Sequence, residues 1–66
     1  MAEKPWLTVE ELAERLQLHP QSVWRQARTD PSFPQPIRLT GGTTRWSRVQ
    51  VEAWEAGKLA EAGRAA

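Results

Sequence analysis

The sequence predicts a small, mainly helical domain with a β-hairpin, in the order of a winged helix-turn-helix. Two amphipathic helical patterns stand close together, a run of prolines ends the second, and Gly41-Gly42 then separates two short β-type segments. A last helical pattern follows the hairpin. Because a chain of 66 residues buries only ~60% of the surface that its unfolded form exposes, these elements must share one core.

The first helix is predicted from about Val9 to Gln17. Thr8 and Glu11 have capping-box spacing, in which each side chain satisfies a backbone N–H of the first turn. Apolar residues then recur at helical spacing and form one stripe. They are Val9, Leu12, Ala13 and Leu16.

The second helix follows after a short turn. His19 is the expected N-cap, and Pro20 suits the first helical position because its φ is already helical. The helix must stop by Thr29 or Asp30, since the residue before Pro31 is driven out of the α region. Its inner side is predicted to consist of Pro20, Val23, Ala27 and part of Trp24.

A proline-punctuated loop and a hairpin come next. Residues 30–36 read as an extended loop that Phe33 anchors to the core. Residues 37–39 alternate apolar and polar side chains, which is typical of a half-buried strand. Gly41-Gly42 is a strong hairpin turn, and residues 43–46 form the return strand.

The last helix is predicted to start at Ser47, with Gln50 completing a second capping box. Val51 and Trp54 should face inward, and Trp54 with Trp46 should fill the core. Gly57 weakens the helix. We therefore expect the domain to span residues 5–58, with residues 59–66 as a helix extension or a frayed tail.

Composition excludes several classes of function. The chain has no Cys and one His, His19, so disulfides, thiolate metal sites and a zinc site are not expected. No apolar run exceeds two residues, so neither a transmembrane helix nor a signal peptide is predicted. We expect a non-enzymatic protein of the cytoplasm without cofactor or metal, because so small a chain rarely encloses a catalytic pocket.

The charges are segregated along the chain. Residues 1–14 carry a net charge of −3, residues 15–48 one of +5, and residues 49–66 one of −1. Every base of the central segment is Arg, whose planar fork suits phosphates and guanine edges. A polyanion is the indicated partner. The alternative is an ordinary solvated arginine face.

Five segments in this order resemble the excisionase and AlpA-type phage regulators, which have a MerR-like winged helix. The resemblance covers residues 6–57, with the family's usual Ser replaced by His19 and its Tyr by Trp24. The segments are residues 7–13, residues 18–25, residues 33–39, Gly41-Gly42 with Arg45-Trp46, and residues 51–54.

The resemblance implies sequence-specific binding to double-stranded DNA inside a bacterial host cell. It further implies an excisionase, a recombination directionality factor that bends attachment-site DNA beside a tyrosine integrase. We favour this form because little chain remains for an effector domain. The alternative is an AlpA-type transcriptional regulator. Cooperative self-association on DNA is likewise expected from the family.

The second helix would then read the major groove, which admits one helix. Gln21, Arg25 and Arg28 follow i, i+4, i+7 spacing and should form one exposed row. The row offers an amide suited to adenine and two guanidinium forks suited to guanine. Ser22 is expected to meet a phosphate, where the N–H groups at the helix N-terminus favour an anion.

Three further arginines are candidate DNA contacts. Arg38 and Arg45 flank the Gly41-Gly42 turn and should reach the backbone or a minor groove, where narrow width attracts Arg. Arg48 is expected to touch a phosphate from the first turn of the last helix, although a cation there opposes the helix dipole.

A remote alternative reads the loop as a protein ligand. Pro31 and Pro34 have the P-x-x-P spacing of polyproline segments that bind interaction domains. Against this, Phe33 would be exposed to water in such a ligand.

Overall fold

Three helices and a three-stranded antiparallel sheet make up the structure, a computed structural model that describes residues 4–65. The predicted mainly helical domain with a hairpin is confirmed at this level, and the element order is consistent with a winged helix. The elements are β1 (Trp6–Leu7), α1 (Val9–Leu16), α2 (Pro20–Thr29), β2 (Ile37–Thr40), β3 (Thr43–Ser47) and α3 (Arg48–Ala65).

The strand β1 was not predicted. Trp6 pairs with Ser47 and Leu7 pairs with Trp46, so β3 lies at the centre of the sheet in the order β1-β3-β2. A two-residue strand has too few positions to show a period of two. Its existence depends on the partner strand, which tertiary structure alone brings beside it.

The predicted start of α1 is confirmed, and its end lies one residue earlier than expected. The Glu11 N–H donates to Thr8 Oγ1 at 3.1 Å, and the Thr8 N–H donates to the Glu11 carboxylate at 2.9 Å. Gln17 has a φ of 57°, the left-handed conformation, and caps the helix. This conformation is costly for a residue with a Cβ, but it turns the chain sharply toward α2.

Both predicted ends of α2 are confirmed. His19 is the N-cap, and its Nδ1 accepts the Gln21 N–H at 3.1 Å. The helix stops at Thr29, and Asp30 before Pro31 is extended, as the proline requires. The predicted inner residues Val23 and Ala27 are buried.

The predicted strand over residues 37–39 is confirmed as β2, but it is less buried than expected. Only Ile37 is partly buried in β2, and Leu39 is 40% exposed. Arg38 pairs with Thr44, which lies on the same face of β3 as the buried Trp46 because side chains alternate between faces. The register with β3 therefore places Arg38, and not Ile37, on the sheet face that carries Trp46.

Trp46 is the largest fully buried side chain among the described residues and confirms its predicted core position. Its indole Nε1–H donates to the Pro34 carbonyl at 2.9 Å, and its ring meets Trp24 edge-on at 5.0 Å between centroids. Helix, sheet and loop thus meet at one side chain. The buried cluster is Leu7, Leu12, Ala13, Val23, Ala27, Phe33, Trp46 and Val51.

Trp54 is only partly buried, so it fills the core less than predicted. Its ring packs edge-on against Phe33 at 5.1 Å, and Phe33, as predicted, anchors the loop with 2% of its surface exposed. The buried Trp54 Nε1 has no hydrogen-bond partner within the described range.

The helix α3 runs through Gly57 to Ala65. Ser47 Oγ accepts the Gln50 N–H at 3.3 Å, one half of the second capping box. Gly57 lowers helix propensity by ~1 kcal/mol relative to Ala without ending α3. Of the two alternatives for residues 59–66, residues 59–65 are a helix extension, and Ala66 lies outside the described residues.

Replacing Trp46 by Phe should lower the free energy of unfolding by ~1–3 kcal/mol, because the Pro34 carbonyl then loses its donor inside the protein. Urea unfolding followed by far-UV circular dichroism measures the change. Trp6→Phe is the matched control, since Trp6 is 37% exposed. Equal losses in the two variants would contradict the central role given to Trp46.

Candidate nucleic-acid interface

The structure brings the predicted row of α2 together on one exposed face. Gln21, Arg25 and Arg28 are all exposed, and they lie on the side of the helix away from the buried Val23 and Ala27. A helix that buries one side against the core presents the opposite side to a ligand without rearrangement. The row therefore offers its amide and two guanidinium groups to one surface.

Ser22 lies at the edge of this row, but the helix N-terminus behind it differs from the expectation. Its Oγ accepts a hydrogen bond from Arg25 Nη2 at 3.4 Å. The N–H groups of Ser22 and Val23 donate to the His19 carbonyl, and the Gln21 N–H donates to His19 Nδ1. The amide donors expected to hold a phosphate are thus occupied by the cap. The Ser22 hydroxyl and the Arg25 guanidinium are the groups there that could hold an anion.

Arg38 and Arg45 flank the turn but lie on opposite faces of the hairpin. Arg38 is exposed and shares the face of Thr44 and Trp46, which is the face that α2 contacts through Trp24. Arg45 points to the other face, and its Nη1 donates to the Thr44 carbonyl at 2.8 Å. Of these two arginines, only Arg38 therefore lies on the hairpin face that contacts α2.

Arg48 is placed unlike the other candidates. Its Nε donates to the Lys4 carbonyl at 2.8 Å, and its Nη1 pairs with Glu52 at 2.7 Å. The i, i+4 carboxylate neutralises a cation that would otherwise oppose the dipole of α3. The geometry gives Arg48 a role in joining α3 to the N-terminal segment and does not support the expected phosphate contact.

The six arginines of residues 15–48 divide into two groups. Arg15 and Arg48 pair with the α3 carboxylates Glu52 and Glu55. The other four form no ion pair within residues 4–65. These four are Arg25, Arg28, Arg38 and Arg45. The positive charge left unneutralised in this segment thus lies on α2 and the hairpin.

One exposed residue beside the row was left open by sequence analysis. Trp24 is 40% exposed and lies next to Arg28 on the helix surface, on the hairpin side. The spacing pattern assigns only part of this side chain to the inner side of α2. Only its contact with Trp46 shows which side of the row it occupies.

The loop segment that resembles a polyproline ligand is folded into the protein. Phe33 and Pro34 are buried, and the Pro34 carbonyl accepts the Trp46 indole N–H. A polyproline ligand is recognised in an extended, solvated form. Burial of the second proline argues against this alternative.

Other kinds of site have little support in the described part of the chain. An open depression of about 460 Å³ is lined by Leu7, Glu11, Glu14 and Arg15. Within residues 4–65, no group of three His, Asp or Glu side chains is arranged to hold a metal ion. Over the same range, no helix has the length and apolar character needed to cross a membrane.

No protein-family model matches this chain, and comparisons with curated proteins and with solved structures also find no match. Function is therefore indicated by the residues themselves. The strongest indication is the set of four arginines on α2 and the hairpin that form no ion pair within residues 4–65.

The ion pair between Arg15 and Glu55 predicts a defined pH dependence of stability. The bidentate hydrogen bonds from Arg15, at 2.8 Å each, lower the pKa of the Glu55 carboxyl below its ordinary value of 4.5. A lowered pKa stabilises the folded state above the ordinary value, and this contribution is lost as the pH falls through the folded value.

Glu55→Gln should therefore destabilise the protein at pH 7, by about 1 kcal/mol or less for a partly exposed pair. The difference from wild type should vanish once the pH is below the folded pKa. Urea unfolding between pH 7 and pH ~2 measures both. Glu10→Gln controls for the change in net charge. A difference that persists in acid would show that the pair does not act through ionisation.

Proposed function

We propose that this protein binds double-stranded DNA as a winged helix-turn-helix, with α2 as the recognition helix and the β2–β3 hairpin as the wing. The carrying observation is the placement of Arg25, Arg28, Arg38 and Arg45 on these two elements without a carboxylate partner among the described residues. Phosphates supply the negative charge that the protein itself does not provide there.

Each element has a distinct part in this proposal. The major groove admits α2, and its row can read base edges through Gln21 to adenine and through Arg25 or Arg28 to guanine. Ser22 and Arg25 form a small anion site at the edge of the helix. Contacts to phosphates fix the position of the protein on the duplex without reading its sequence.

The wing extends the interface beyond the major groove. Arg38 lies on the hairpin face that α2 contacts, so it is directed to the same duplex. Arg45 lies on the outer face and is suited to the far wall of the groove that receives the hairpin. The two faces of a thin hairpin enter a groove together. Because Arg38 and Arg45 lie on opposite faces, each can contact a different DNA strand of that groove.

The remaining charges favour a single orientation on DNA. The carboxylates of α1 and α3 hold Lys4, Arg15 and Arg48 in ion pairs. Glu10 and Glu14 on α1 are exposed in addition. A negatively charged surface repels phosphates, and an uneven distribution of charge over a protein steers how it associates with a charged partner.

The biological role that we favour is that of an excisionase acting with a tyrosine integrase. The support is the resemblance of residues 6–57 to excisionase and AlpA-type regulators, together with the small size of the domain. Small architectural proteins act by deforming DNA and by binding it repeatedly, which also accounts for self-association on the duplex. A transcriptional regulator of the AlpA type would use the same interface.

Arg25→Ala should weaken binding to a site selected from a randomised duplex pool by ~1–3 kcal/mol, the worth of one bidentate contact. Arg25→Ala with Arg28→Ala should weaken it further. Raising salt from 50 to 200 mM should weaken wild-type binding steeply, because phosphate neutralisation releases counterions. Fluorescence anisotropy with labelled duplex measures all three.

Arg64→Ala is the matched control, because it also removes one positive charge but lies near the far end of α3. It should leave affinity nearly unchanged. Equal losses in Arg25→Ala and Arg64→Ala would show that only net charge matters and would remove α2 from the interface. A flat salt response of the wild type would remove DNA as the partner.

Excision and regulation are separated by two assays on the same protein. With the integrase and an attachment site present, added wild-type protein should increase the amount of excised product that forms. The Arg25→Ala variant should not. If the protein does not stimulate excision but changes expression from a promoter that carries the selected site, it is the transcriptional regulator.

A further inference from the structure

Trp24 is a large apolar side chain that is partly exposed beside the arginines of α2. It is 40% exposed, although Trp46, the aromatic side chain that it contacts, is fully buried. Its indole Nε1–H has no hydrogen-bond partner within the described residues. Val23 and Ala27, its neighbours on α2, are buried in the core, whereas a large part of the Trp24 ring stays in contact with solvent.

The side chain is held in one place from below. Its ring meets Trp46 edge-on, with 5.0 Å between centroids and an interplanar angle of 62°. Trp46 is itself fixed by its hydrogen bond to the Pro34 carbonyl. An aromatic residue with two rotatable angles, packed on a rigid neighbour, loses little entropy when it binds a ligand.

Its position lies between the two proposed DNA-binding elements. On α2 it is one turn from Arg28, on the flank of the row. Through Trp46 it meets the hairpin face that also carries Thr44 and Arg38. A residue on the flank of a helix in the major groove faces a groove wall, and the floor is faced by the row.

We propose that Trp24 contacts the sugar-phosphate backbone of the strand that runs between the recognition helix and the wing. Its ring packs on a deoxyribose, and its Nε1–H donates to a phosphate oxygen. The inference rests on the proposed DNA-binding function and adds an uncharged backbone contact to it. Major and minor grooves are separated by one backbone strand, so a side chain between helix and wing meets that strand.

Two properties distinguish this contact from those of the arginines. It touches no base edge, so its effect on affinity is the same for any duplex sequence. It neutralises no phosphate charge, so removing it leaves the slope of log affinity against log salt unchanged. An arginine to phosphate contact changes that slope by about 1 when it is removed.

The test compares wild type with Trp24→Phe and Trp24→Ala on the selected site and on a mixed-sequence duplex, across a salt series. Phe keeps a ring against Trp46 and loses the N–H, so we expect affinity to be more than about tenfold weaker, as for the loss of one hydrogen bond to a charged group. Ala should lose several-fold more, equally on both duplexes, with the wild-type salt slope. Trp6→Phe, on the opposite sheet face, is the control and should bind as wild type.

Three results would overturn the inference. They are Trp24→Phe binding within about twofold of wild type, a loss confined to the selected site, and a changed salt slope. Thermal melting shows whether each variant folds, and the Phe variant keeps the test valid if the Ala variant does not. Wild type that binds neither duplex would instead refute the proposed function.

A second measurement needs no affinity change. The indole N–H resonance of Trp24, assigned by its absence in Trp24→Phe, should shift on addition of the mixed-sequence duplex and become protected from solvent exchange. The Trp46 indole resonance, already bonded to Pro34, serves as the internal reference. An unshifted Trp24 resonance under saturating DNA would also overturn the inference.

Discussion

The burial of Trp46 in the central strand is the constraint on which the rest of the structure depends. Its side chain contacts α2 through Trp24 and the loop through the Pro34 carbonyl. Its backbone pairs with Leu7 of β1. Because β3 is held in this way, its side-chain alternation fixes which hairpin residues face α2. The position of Arg38 relative to the row follows from that register and from nothing in its immediate sequence.

Electrostatics divides the molecule along the same lines. Helix α3 places Glu52 and Glu55 where they bind Arg15 and Arg48, which ties it to α1 and to the N-terminal segment. Surface pairs of this kind contribute little stability individually. Their larger effect is on the distribution of charge, because they neutralise two arginines and leave the arginines of α2 and the hairpin without an ion-pair partner.

The proposed interface combines three kinds of contact. The row of α2 carries the groups that can read bases, the arginines of both elements carry charge, and Trp24 offers a rigid apolar surface between them. Specificity, electrostatic affinity and positioning are thus assigned to separate residues. Such a division would let a small domain bind a duplex at one defined position, although the surface that it offers for contact is small.

The sequence alone determined the two helix starts, the end of α2 and the hairpin turn, because capping residues, prolines and paired glycines act within a few positions along the chain. It also identified the exposed row. Tertiary structure alone decided the strand β1, the exposure of Leu39, the separation of Arg38 from Arg45 and the pairing of Arg48. Each of these depends on contacts between residues distant in sequence, or on the register they impose, and no local pattern encodes such contacts.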